Sequence, residues 1–254
     1  MSEAEGCIGV FDSGAGGVSV LRALASELPH ESFSYYGDAA NAPYGNRSVE
    51  EVREFSCSIV ERMVARGAKA VVIACNTATS AAATCLRERW PELPIVGVEP
   101  ALKPAVASGG RILVMATEMT LRLDKYRCLA RDLGVDADVV ACTGLADLVE
   151  AGDLDNPEIE RLIADLVGGY RGTVESVVLG CTHYPFVTPQ IKRVLGPVRF
   201  FDGSRGAARQ LKRLLVERGI ESRRSETGGI EYGSSDASGS AVCLYRSLME
   251  RSSL

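Results

Sequence analysis

The chain repeats itself. The segment Gly6-Cys7-Ile8-Gly9-Val10-Phe11 is answered 104 residues later by Gly110-Arg111-Ile112-Leu113-Val114-Met115. The segment Ala70-Val71-Val72-Ile73-Ala74-Cys75-Asn76-Thr77 is answered 106 residues later by Ser176-Val177-Val178-Leu179-Gly180-Cys181-Thr182-His183. Two apolar runs that recur at nearly one offset mark a duplicated unit, each copy ending a strand in a cysteine and two polar residues. Short β-branched runs at residues 7–11, 33–36, 70–74, 95–98, 111–116, 138–141, 176–180 and 198–201 read as buried strands, with amphipathic stretches between them. Helix starts are legible too. Ser48-Val49-Glu50-Glu51 is a capping box that opens a helix to about Arg66, and Asn156-Pro157 sets an N-cap before a proline at the first helical position.

Strands alternating with helices predict an α/β fold made of two similar parallel-sheet domains. A pseudo-twofold axis relates them, and the active site lies in the cleft between. The first domain is read as residues 1–98 with 205–254 and the second as residues 99–204, sizes that suit 254 residues at about 150 per domain. The tail returns to the first domain. Within it, residues 228–239 are rich in Gly and Ser and read as a loop or hinge.

Composition narrows the function. The 28 basic residues are scattered among 33 acidic ones, for a net charge of −5, which argues against nucleic acid as a partner and for a small molecule. No apolar run reaches the roughly 18 residues of a membrane span. The acidic opening from Met1 to Gly6 lacks a basic region and an apolar leader, so a cytoplasmic chain is expected. Eight cysteines are then expected as reduced thiols. They form no C-x-x-C pair and stand beside only two histidines, so no metal site is read.

Two of those cysteines, Cys75 and Cys181, fall at the carboxyl ends of equivalent strands, where ligands bind in open parallel sheets. A cysteine after an apolar strand is ordinarily a small core residue. The paired placement in a repeat points instead to two thiols approaching one cleft from opposite sides. That is the geometry of a two-base proton transfer: one group takes a proton from one face of a carbon and the other delivers one to the opposite face. A thiol titrating near ~8.5 needs a helix N-terminus, a cation or a base to become a thiolate near neutrality, and both cysteines are expected to precede helices.

Asp12-Ser13-Gly14-Ala15-Gly16-Gly17 links a strand to a helix, so its glycines let backbone close on an anion, or merely make a tight turn. It matches neither a dinucleotide fingerprint nor a P-loop. Pro43-Tyr44-Gly45 reads equally as a turn or as a ligand contact. His183 stands two residues from Cys181, placed to tune the thiol or hold a carboxylate. A phosphatase loop is excluded, because Ala81 and Val187 occupy the positions where its arginine would follow each cysteine.

Together, Phe11-Asp12-Ser13-Gly14, Pro43-Tyr44-Gly45, Ala74-Cys75-Asn76-Thr77 and Gly180-Cys181-Thr182-His183-Tyr184-Pro185 resemble the glutamate racemases of the aspartate/glutamate racemase superfamily, over residues 7–216. The resemblance implies a homodimeric isomerase that interconverts L- and D-glutamate with no cofactor and supplies D-glutamate for peptidoglycan. It implies that Cys75 acts on the D-isomer with help from Asp12, and Cys181 on the L-isomer with help from His183 and Glu150. Substrate contacts are implied for Asp12, Ser13, Tyr44, Gly45, Asn76, Thr77, Thr117, Thr182 and His183. Glu150 is approached by Gly144-Leu145-Ala146-Asp147 rather than the usual proline- and leucine-rich run, so Asp147 competes for its role. Glu99, at the expected crossover, reads as a surface or hinge carboxylate. Lacking an electron sink, such an enzyme must stabilise the developing carbanion electrostatically, with Asn76, Thr77 and Thr182 aimed at the α-carboxylate. An aspartate or hydantoin racemase, or a non-catalytic protein that binds an acidic amino acid, are the rival readings.

Overall fold

The computed structural model describes residues 6–135 and 137–251; the acidic opening at residues 1–5 lies outside them. The first half of the chain runs β1 (Ile8–Asp12), α1 (Val18–Glu27), β2 (Phe33–Gly37), α2 (Val49–Ala65), β3 (Ala70–Ile73), α3 (Asn76–Arg89) and β4 (Ile95–Gly97). After α4 (Leu102–Ala107), the second half runs β5 (Ile112–Ala116), α5 (Glu118–Arg122), α6 (Asp124–Asp132), β6 (Asp138–Ala141), α7 (Leu145–Glu150), α8 (Pro157–Val167), β7 (Ser176–Gly180), α9 (Thr188–Leu195) and β8 (Arg199–Asp202). The tail adds α10 (Ser204–Arg218), β9 (Ile230–Ser234) and α11 (Ser240–Glu250). Both expected helix starts are present: the Ser48–Glu51 capping box opens α2, and Asn156 caps α8 ahead of Pro157.

Two parallel sheets result, in the orders β4-β3-β1-β2-β9 and β6-β5-β7-β8. Read from its other edge, the second sheet is β8-β7-β5-β6, the order of the first four strands repeated. Register carries the repeat down to single residues: Ile8 pairs with Ala70 in the first sheet, and Ile112 pairs with Ser176 in the second. Each residue of the second pair is the sequence echo of its counterpart in the first. The central strands β1, β3, β5 and β7 are buried along their whole length. Helices cover both faces of such strands, which is why they read as unbroken apolar runs.

One apolar cluster joins the halves, running from Ile8 and Val10 through Leu113 and Leu179 to Leu211 and Tyr245 of the tail. Smaller clusters fill the outer faces, with Phe11 and Ile73 against Ile59 and Leu86 on one side, and Val114 and Val178 against Leu102 on the other. Among the described residues, no helix is long and apolar enough to cross a membrane.

The tail departs from expectation. Residues 230–234, read as part of a loop, form β9, the parallel edge strand beside β2, with Ile230 opposite Phe33. An edge strand that is half-exposed along its length needs few apolar residues, and its glycine- and serine-rich flanks mask it. Helix α11 then drives Tyr245 into the core, its ring edge-on to Tyr35 at 5.1 Å. The other strand ends differ from expectation by a residue at most.

Tyr245→Ala is expected to lower unfolding free energy in urea by about 3–5 kcal/mol, as for other buried aromatics. Tyr245→Phe, which loses only the 3.4 Å hydroxyl contact to Ser234 Oγ, should cost about 1 kcal/mol or less.

Candidate active site

Four strand ends build the site. Asp12 closes β1, Cys75 follows β3, Thr117 follows β5 and Cys181 follows β7. Cys75 is the N-cap of α3: the Ala78 N–H donates to its sulfur at 3.4 Å, and its thiol lies 3.9 Å from Ser13 Oγ. Cys181 is held differently. Its Sγ lies 3.5 Å from His183 Nδ1, whose other nitrogen, Nε2, lies 2.5 Å from Glu150 Oε1. Contrary to expectation no regular helix follows Cys181 directly; a 3₁₀ turn over Tyr184–Val187 intervenes before α9. Both thiols are buried, Cys75 at 5% exposure and Cys181 at 7%.

The glycine-rich loop after β1 closes on an anion, but the anions are the protein's own. Asp12 Oδ2 accepts from Gly14 and Gly17 N–H at 3.2 and 2.9 Å, and Glu150 Oε1 accepts from Ala15 N–H at 2.6 Å. The glycines are required by close approach: a Cβ on Gly14 would fall on the Glu150 carboxylate, and one on Gly16 would fall on the His183 ring and Thr182 Oγ1. Two buried polar atoms are left without a partner here, Asp12 Oδ1 and Asn76 Nδ2. They are one acceptor and one donor.

A matching family model, described as Asp/Glu/Hydantoin racemase, covers residues 8–211. The chain belongs to that family. Glutamate racemase of Clostridium perfringens is 43% identical over 249 residues, spanning 96% of each chain. The crystal structure of glutamate racemase from Thermus thermophilus in complex with β-chloro-D-alanine superposes with a TM-score of 0.84 at 34% identity, over 97% of this chain and 94% of that one. The Escherichia coli glutamate racemase, in complex with L-glutamate and the activator UDP-MurNAc-Ala, gives a TM-score of 0.81 at 26% identity, over 98% and 96% of the two chains.

In this racemase-family site, Glu150 and not Asp147 meets the histidine; Asp147 is exposed on α7. Thr77 and Thr117, from opposite halves, hold their hydroxyls 3.0 Å apart. A Cβ built on Gly45 would lie 3.4 Å from Thr117 Cβ, so the Tyr44–Gly45 backbone borders the same point. The Tyr44 hydroxyl itself is engaged elsewhere, donating to Asp38 Oδ2 at 2.6 Å. Glu99 is exposed, as expected. It lines a cavity of about 1440 Å³ between α1, α10 and the ends of β4 and β8 that reaches neither thiol. Among the described residues, no group of three or more His, Cys, Asp or Glu side chains is arranged to hold a metal.

Sequence reasoning missed several supports. The Tyr35 hydroxyl donates to Gly14 O at 2.6 Å, and Ser19 Oγ lies 2.9 Å from both Gly16 O and Thr182 O, tying α1 to the Cys181 loop. Thr120, wholly buried, lies 2.9 Å from Thr117 Oγ1 and 3.4 Å from Thr77 Oγ1. Only Thr120 had a local signal, the Thr-x-x-Thr spacing of a helix cap; the others pair across elements that only the fold brings together.

The electrostatics are lopsided. Burial pushes the Cys75 thiol well above its ordinary range, and the Asp12 charge pushes it further, against the Ala78 N–H. Burial likewise raises Asp12, although the His183 charge and the Gly17 N–H oppose it. Burial alone would lower His183, but the Cys181 charge and hydrogen bond, followed by those of Glu150, hold it well above the usual imidazole range. Burial would raise Glu150, and its hydrogen bond and attraction to His183 reverse this, leaving it low. The imidazolium form therefore donates from Nδ1 toward Cys181 and from Nε2 to Glu150, and that charge-assisted 2.5 Å contact outweighs the 3.2 Å approach of Gly16 N–H to the same nitrogen.

This pair gives a signed pH dependence. The raised His183 contributes stability fully below the ordinary imidazole value of 6.5, and the contribution fades as pH climbs through its folded value. The lowered Glu150 contributes above 4.5, and loses this as pH falls through its folded value. With only two histidines in the chain, imidazole NMR isolates the effect. Glu150→Gln should bring the His183 titration down toward neutral pH and cut racemisation by about 10²-fold, whereas Asp147→Asn should leave both where they are.

Proposed function

We infer that the chain interconverts L- and D-glutamate, the reaction of its named relatives, by passing the α-proton between Cys181 and Cys75. The observation that carries this is the pairing of two buried thiols at echoed strand ends with two unpartnered buried polar atoms, Asp12 Oδ1 and Asn76 Nδ2. An acceptor and a donor suit the ammonium and carboxylate that every α-amino acid carries on its reacting carbon. The amino acid's Cα–H is far weaker as an acid than any thiol, so stabilising the growing negative charge decides the rate. Asn76 Nδ2 and the hydroxyls of Thr77 and Thr182 supply donors for the α-carboxylate as it takes on enediolate character.

The surroundings of the two thiols support a division of resting roles. Cys75, raised by burial and by Asp12, rests as the thiol and donates. Cys181, facing the His183 cation, takes the proton from L-glutamate. One turnover leaves the two sulfurs in the opposite states, ready for D-glutamate. Because both thiols are buried, substrate enters only when the halves part, and their closure excludes water. The D-glutamate formed supplies peptidoglycan synthesis. The same reading takes the chain as a cytoplasmic homodimer, divided into residues 1–98 with 205–254 and residues 99–204; sedimentation at micromolar concentration tests the dimer.

Enantiomers have equal free energies, so kcat/KM is the same in both directions for any variant, and overall racemisation cannot distinguish the two thiols. Exchange can. In D₂O, Cys75→Ala should abolish racemisation yet still exchange the Cα proton of L-glutamate, and Cys181→Ala should exchange that of D-glutamate. Equal exchange of both enantiomers by one variant would favour a single base, and exchange of aspartate in preference to glutamate would change the substrate. Thr77→Val and Thr182→Val should each lower kcat by roughly 10²–10³-fold, the cost of losing one oxyanion donor.

A further inference from the structure

Helices α2 and α3 run side by side in one direction and at one register. Arg53 Nε donates to Ala81 O at 2.8 Å, and two turns further on Arg89 Nη2 donates to Glu61 Oε1 at 3.2 Å, each pair separated by 28 residues. Midway between these contacts, one turn from each, the same register sets Cys57 opposite Cys85. Burial first, and then the neighbouring Cys57 thiol, raise the Cys85 thiol above its ordinary range. Cys85 donates to Ala82 O of its own helix at 3.0 Å, which fixes its sulfur against that turn. Both cysteines are half-buried at the helix surface, unlike the two site thiols, so a small reagent can reach them. Neither belongs to the racemase machinery: Cys85 lies ten residues along α3 from Cys75, about 15 Å of helix.

We propose that Cys57 and Cys85 are a redox modification site that closes to a reversible disulfide by exchange with a low-molecular-weight disulfide. One protein thiolate attacks the small disulfide, forming a mixed disulfide and expelling one small thiolate. The second protein thiolate attacks the protein-side sulfur of that bond and expels the other. The protein loses two electrons and two thiol protons, and the small disulfide gains both as two thiols. The product joins α3, the helix capped by Cys75, to α2 across a 28-residue separation, a loop long enough for a cross-link to restrict the unfolded chain substantially.

The test treats the full-length protein with oxidised glutathione, blocks free thiols, and maps peptides without reduction. The expected product yields one linked peptide joining Cys57 to Cys85, two hydrogens lighter than its two reduced peptides together and released by dithiothreitol, whatever glutathione the exposed Cys243 takes up. Its thermal midpoint should rise by about 5–10 °C over the reduced protein. Cys57→Ser and Cys85→Ser should racemise glutamate as the parent does, form no such link, and instead retain one glutathione on the remaining cysteine of the pair. Glutathione persisting on Cys57 or Cys85 in the parent, a link that joins other cysteines, or a linked product with an unchanged midpoint would each overturn the proposal.

Discussion

Glu150 holds the two halves in one electrostatic unit. A single oxygen, Oε1, accepts from the Ala15 N–H at 2.6 Å and meets His183 Nε2 at 2.5 Å, so the loop after β1 and the loop after β7 are fixed by one carboxylate delivered from the end of α7. This works only because Gly14 and Gly16 present no side chain where the carboxylate and the imidazole sit. A buried charge pair is costly unless every partner is present. Here the backbone supplies the final partner, and the same set of contacts decides which histidine nitrogen faces Cys181.

The two thiols share a topology but not an environment. Cys75 has a helix N-terminus, a hydroxyl and a carboxylate around it; Cys181 has an imidazolium and no helix of its own. A duplicated unit would begin with both ends alike, and Thr77 stands in the first copy where His183 stands in the second. Asp12 likewise stands where the second copy has Ala116, so two differences put a carboxylate beside Cys75 and an imidazole beside Cys181. The hydroxyls of Thr77 and Thr117 join the halves at a second, neutral contact.

Support for the site reaches back to both chain ends. Tyr35 holds Gly14 O with its hydroxyl and carries the ring of Tyr245 from α11, so the last helix buttresses the loop that follows the first strand. Helix α11 and β9 therefore pack with the folded core, although residues 228–239 read from composition as a loop.

Much of this was legible in the chain because parallel strands buried on both faces leave unbroken apolar runs, and because the duplication ties Cys75 to Cys181 and Ile8-Ala70 to Ile112-Ser176. Caps are local, so Ser48 and Asn156 could be read directly. Strand β9 could not, since a half-exposed edge strand lacks the apolar run that marks its neighbours. Nor could Glu150 be separated from Asp147: both sit on one short helix, and only its orientation turns one inward and the other to solvent. The sequence by itself determined the fold class, the repeat and the positions of the two thiols, because periodicity and local chemistry are written along the chain. The tertiary structure alone decided which carboxylate meets His183, that the loop amides are already taken, and that Asp12 lies beside Cys75, because those outcomes depend on burial and on contacts between separate elements, 33 positions apart for Glu150 and His183 and 135 for Ala15 and Glu150.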